Sequence, residues 1–151
     1  MKLLVSRCLL GEPCRYDGRV KTDLRPPLRA AGIGDDCWIS VCPESDGGLP
    51  TPRTPSEIRG TARGVLEGRD HIMAADGRDN TACFMKGARI AADLCRENGV
   101  SLIFSHANEQ PMKTMRRAGF VDLVGEDHFR ANIDDAIAYA RELLGEERKA
   151  A

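Results

Sequence analysis

The 151-residue chain is poor in aromatics, which make up 5% of it, and has one Trp, so it offers few platforms for stacking nucleic-acid bases. Neither charge sign is in excess: 23 Asp and Glu face 22 Lys and Arg, which excludes a strong field aimed at nucleic acid or an anionic membrane. Long apolar runs are missing. The Leu3-Leu4-Val5 run is too short for a signal-peptide core and far too short to span a bilayer, so a cytoplasmic protein is expected, with no nucleic-acid or membrane partner. No Walker loop, GxGxxG, GxSxG or HExxH occurs, and the three histidines (71, 106 and 128) are widely spaced. Nucleotide-dependent, serine-hydrolase and histidine-based hydrolytic readings therefore have no support.

Cysteine, by contrast, is plentiful. Six occur, at 8, 14, 37, 42, 83 and 95, and without an export signal they should stay reduced. None has the CxxC spacing of structural zinc. Cys83 and Cys95 fall within a helical pattern and read as small buried hydrophobes. Cys8 and Cys42 differ, because each follows an apolar strand-like run and opens a loop crowded with Gly, Pro and charge.

The pattern predicts strands over 2–6, 37–41 and 101–105 and a short helix over 22–31 around Pro26-Pro27. Gly64–Glu67 and His71–Ala74 are expected to pair as a hairpin. Asp79-Asn80-Thr81 opens a helix of about 17 residues with an apolar side of Phe84, Ala88, Ala91, Ala92 and Cys95. Further helices are expected over 109–118 and 133–144, the last with a stripe of Ile133, Ala136, Ile137, Ala140 and Leu144. Alternating strands and helices imply a single α/β domain over 1–151, three-layered, with a mostly parallel sheet flanked by helices. Ligands bind beyond the carboxyl ends of such strands, here Ser6 to Cys8, Val41 to Glu44 and Ser105-His106.

At that rim Cys8 and Cys42 either share a metal or iron–sulfur centre, with Cys14 or His106 as further ligands, or simply pack. A mononuclear site on Cys8, Cys14 and Cys42 is a variant. Glu44 is placed to act as general acid or base, or is a solvated loop glutamate. Gly47-Gly48 and Arg53 form either an anion-friendly substrate pocket or a rigid turn with Arg53 paired to Glu57. Ser6 and Ser105 complete the expected substrate contacts. Tyr16 and Arg15 are secondary candidates.

The residues Ser6-x-Cys8-Leu9-x-Gly11, Cys14-Arg15-Tyr16-Asp17-Gly18 and Val41-Cys42-Pro43-Glu44-x-x-Gly47-Gly48-Leu49-x-Thr51-Pro52-Arg53-x-Pro55-x-Glu57-Ile58 resemble the thiouracil desulfurase family over residues 1–100. That resemblance implies a four-iron four-sulfur cluster on three cysteines, including Cys8 and Cys42. It also implies a small thiolated substrate losing sulfide, with Glu44 moving protons. The family's third cysteine lies in S-P-S-C-G; here Ser105-His106-Ala107-Asn108 stands in its place and no cysteine follows Cys95. The third ligand is then recruited elsewhere, is His106, or is missing. Residues 97–145 instead resemble the end of a STAS domain, which implies a second reading: a non-catalytic regulatory or binding module, or a relative without a cluster. A homodimer stays open.

Overall fold

Leu3, Leu4 and Val5 lie half-buried in strand β1 (Leu3–Ser6), which pairs in parallel with β2 (Trp38–Val41) in the register Leu3↔Trp38 through Ser6↔Val41. The computed structural model describes residues 2–106, 109–117 and 119–150. These fall into two compact units, residues 1–100 and 101–151, each with its own sheet pairing.

In the first unit, β1 runs into a 3-10 turn (Arg7–Leu10) stopped by Gly11 at φ 78°, a left-handed angle that costs glycine nothing. The loop that follows leads to α1 (Arg25–Ala30), shorter than the expected 22–31. Its prolines sit in the first turn, where no intrahelical N–H is needed, and Asp23 accepts the Arg25 N–H at 3.0 Å. After β2 comes α2 (Pro43–Asp46), then β3 (Ser56–Arg59), α3 (Ala62–Leu66), β4 (His71–Ala74) and α4 (Thr81–Glu97).

The expected hairpin is corrected here. His71–Ala74 pairs antiparallel with Ser56–Arg59, while the run after Thr61 is helical. The reason is local capping: Thr61 Oγ1 accepts the Gly64 N–H at 2.9 Å, and Asp70 Oδ2 accepts the Thr61 N–H at 2.8 Å. The buried side of α4 also differs from the expected one. Gly87 and Cys95 are buried, Phe84 and Ala91 half-buried, whereas Ala88 and Ala92 are exposed. A bare Gly87 lets the backbone of α2 approach, and this turns the packed face by one position.

Apart from Leu10 and Val65, the buried apolar residues of this unit include Cys14, Val41, Cys42 and Leu49, so much of the core lies where β2 ends. In the second unit β5 (Phe104–Ser105) pairs in parallel with β6 (Phe129–Arg130), joined by α5 (Glu109–Arg117) and α6 (Phe120–Val124) and followed by α7 (Ile133–Ala150). Phe104, Phe120 and Phe129 form its aromatic cluster, with Phe104 and Phe129 stacked at 4.9 Å. Of the stripe expected on α7, Ala136 is buried, but Ile133 and Ile137 are 52% and 43% exposed. The fold class is α/β, with two parallel strand pairs and one antiparallel pair among the described residues. No helix among the described residues is long and apolar enough to cross a membrane.

Candidate functional site

Parallel pairing of β1 with β2 delivers two chain segments to one edge. Cys8 lies in the 3-10 turn just after Ser6, and Cys42 caps α2 just after Val41, with Pro43 at the first helical position. The loop beyond Gly11 folds back far enough to bury Cys14 against Cys42, whose thiol donates to the Cys14 carbonyl oxygen at 3.6 Å. A cavity of about 170 Å³ opens between these segments. Its walls are Ser6, Arg7, Cys8, Cys14, Arg15, Tyr16, Val41, Cys42, Pro43, Glu44 and Arg53.

The buried guanidinium of Arg53 organises one wall. Nη1 and Nη2 each donate to the Cys14 carbonyl at 3.1 Å, Nη1 also reaches the Thr51 hydroxyl at 3.3 Å, and Nη2 pairs with Glu44 Oε2. The Arg53 side chain is only 4% exposed while that of Glu44 is 40% exposed, so the pair is anchored at its cationic end and open at its carboxylate. Burial works against the Arg53 charge, but Glu44 and Cys42 together outweigh it and the pKa rises. Arg53 is thus engaged with Cys14 and Glu44, not with Glu57, which is exposed and pairs with Arg59 at 3.9 Å.

The thiols differ in character. Burial pushes Cys14 up to about 11, reinforced by hydrogen bonding and charge from Cys42 and by Cys8, with Arg7 opposing. Burial also pushes Cys42 up, yet hydrogen bonds from Ser45, whose Oγ lies 3.3 Å from Sγ, together with Cys14 and Arg53, carry it below the ordinary thiol value.

The remaining expected site residues are not among the cavity walls. Gly47 packs α2 against α4: a Cβ there would stand 2.1 Å from the Cys83 carbonyl oxygen. Gly48, at φ 108°, makes the turn that follows. Neither lines the cavity. Ser105 ends β5, half-buried, and His106 is exposed at φ 57°; both belong to the second unit. Ala107 and Asn108 lie outside the described residues. Sequence reasoning overlooked Arg7, Ser45 and Asp46, which occupy positions that the two motifs leave open. Tyr16, rated secondary, is a cavity wall with half its surface exposed.

Three soft sulfur donors around one cavity suit an iron–sulfur centre. Among the described residues no three of His, Cys, Asp and Glu converge on a single-ion position.

Fold and site together define an α/β protein with a cysteine-lined cavity at the ends of two parallel strands and a carboxylate on its wall. A family model for 2-thiouracil desulfurase matches residues 3–136, and the chain belongs to that family. The match continues past Gly99 over most of the stretch that resembles a STAS domain. The chain is 36% identical over 107 residues to the uncharacterized protein YbbK of Bacillus subtilis (strain 168), a match that spans 70% of this chain and 69% of YbbK. It is also similar to the solved [4Fe-4S]-dependent thiouracil desulfidase TudS, with 29% identity, a TM-score of 0.58 and coverage of 94% of this chain and 97% of TudS.

Proposed function

We propose that this chain is an iron–sulfur-dependent desulfurase that exchanges the sulfur of a thiolated pyrimidine or similar small thiocarbonyl compound for oxygen. The observation that carries the reading is the gathering of Cys8, Cys14, Cys42 and Glu44 around one cavity in a member of this family. Cys8, Cys14 and Cys42 are the proposed ligands, with Cys14 taking the place of the cysteine missing after β5. When bound, a four-iron four-sulfur cluster held by three thiolates supplies a sulfur-seeking Lewis acid.

The net reaction is a hydrolysis: thiocarbonyl plus water gives carbonyl plus hydrogen sulfide, with no change in electron count. The protein's part is proton handling and placement. Arg53 holds Glu44 by Oε2 on the cavity wall, where the carboxylate takes a proton from water and returns it to the departing sulfur. Tyr16 gives the cavity mouth an aromatic wall suited to a flat heterocycle.

The test is anaerobic turnover of 2-thiouracil by reconstituted protein, with sulfide and uracil as measured products. Glu44→Gln is expected to lower kcat roughly a hundredfold or more while leaving the visible absorption of the cluster in place. Loss of absorption together with activity in that variant would assign Glu44 to cluster binding instead. A colourless, inactive wild type would favour the regulatory or binding module implied by the missing S-P-S-C-G motif.

A further inference from the structure

Backbone pairing between β1 and β2 ends at Ser6↔Val41. The next residues along the two strands are Arg7 and Cys42, one position before and directly at the two cysteines. Side chains continue the connection that the backbone drops. Arg7 Nη2 donates to both carboxylate oxygens of Asp46, at 2.5 and 2.7 Å, and Asp46 Oδ2 accepts the Cys42 N–H at 3.0 Å. Asp46 is itself fixed, since its N–H donates to the Cys42 carbonyl at 2.8 Å. Arg7 Nε adds an ion pair with Glu12 at 3.5 Å. The Arg7 and Asp46 side chains are 24% and 22% exposed, so the pair is largely shielded from water. One guanidinium nitrogen is thus shared between both carboxylate oxygens, a short charge-assisted contact in partly shielded surroundings.

We propose that Arg7 and Asp46 are positioning residues: they add one side-chain rung to the sheet, clamp the Cys8 turn to the Cys42 turn, and so set the spacing of the two sulfurs for a cluster. Neither residue is a sulfur donor. Without the Asp46 carboxylate, the partly buried Cys42 N–H loses its acceptor, and the Cys8 turn loses its charged tie to α2. The cluster part of this proposal rests on the function proposed above, whereas the clamp is testable without it.

Two measurements decide it. In the metal-free protein, hydrogen exchange of the segment 41–46 is expected to quicken most in Asp46→Ala, which also removes the acceptor of the Cys42 N–H, and to a smaller extent in Arg7→Ala, although residue 7 is distant in sequence. In the loaded protein, loss of visible absorption to an iron chelator is expected to be about tenfold faster in Asp46→Ala, less so in Arg7→Ala, and no faster in the double variant than in Asp46→Ala. Asp46→Asn keeps an oxygen for the Cys42 N–H but loses the ion pair, and should match Arg7→Ala, between wild type and Asp46→Ala; Arg7→Lys, which keeps the charge, should lie nearer wild type. Unchanged exchange at 41–46 in Arg7→Ala overturns the clamp, as do additive effects in the double variant. A wild type that takes up no cluster refutes the desulfurase reading, and the exchange measurement then decides the clamp alone.

Discussion

Cys14 and Cys42 share one buried corner yet respond to it in opposite ways. Cys42 has Ser45 and Arg53 to favour its thiolate, while Cys14 is burdened by burial and by its sulfur neighbours. In the metal-free protein, iodoacetamide at about pH 8 should therefore label Cys42 ahead of Cys14, and Ser45→Ala should slow the labelling of Cys42, as peptide mass spectrometry would read. Equal labelling of the two would contradict this assignment. Cys14 also sets a pH dependence. Its thiol titrates near 11 when folded against 9.0 ordinarily, so between those values the unfolded chain has released a proton that the folded chain keeps. The contribution is present in full below the ordinary value and is lost as pH climbs through the folded one. Urea unfolding of the metal-free protein should show stability falling across that window, and Cys14→Ser should remove that part of the fall.

Between elements, the placement of Pro43 and Glu44 depends on how closely α2 lies on α4. A Cβ at Gly87 would stand 1.9 Å from the Pro43 carbonyl oxygen, and one at Gly47 would stand 2.1 Å from the Cys83 carbonyl oxygen. Backbone cannot yield as a flexible side chain does, so Gly87→Ala and Gly47→Ala should each cost about 1–3 kcal/mol or more in thermal unfolding. Wild-type stability in either would show that the two helices are free to part. The same contact marks what can be read from the chain. Cys8 and Cys42 announce themselves because an apolar strand ends beside each, and parallel pairing is then enough to place both at one edge. The helix from Thr81 is equally plain, but its buried side is not, because Gly87 packs by having no side chain and so escapes an apolar pattern. The run Gly64–Glu67 looks extended by composition and is helical through Thr61 and Asp70, whose pairing is only visible in three dimensions. Phe129–Arg130 is too short to declare itself a strand, and it is the partner that β5 takes. Arg53 resembles an anion hook in the sequence; in the structure the Cys14 carbonyl and Glu44 occupy it.

For the whole molecule, the family and the α/β fold are established, and the proposal is that the chain holds a cluster without the cysteine expected after β5. Cys14, six positions after Cys8 and buried beside Cys42, is the replacement proposed for it. The alternative ligand, His106, belongs to the second unit and is exposed. Exchanging each in turn separates the two: Cys14→Ala should abolish cluster uptake, whereas His106→Ala should leave it intact. The measurement that bears most directly on the account is iron and acid-labile sulfide per chain after anaerobic reconstitution, in wild type and in Cys8→Ala, Cys14→Ala and Cys42→Ala. The account predicts about four of each per chain in wild type and almost none in the three variants. Little or no iron in the wild type, or full loading in any one of the variants, would contradict it.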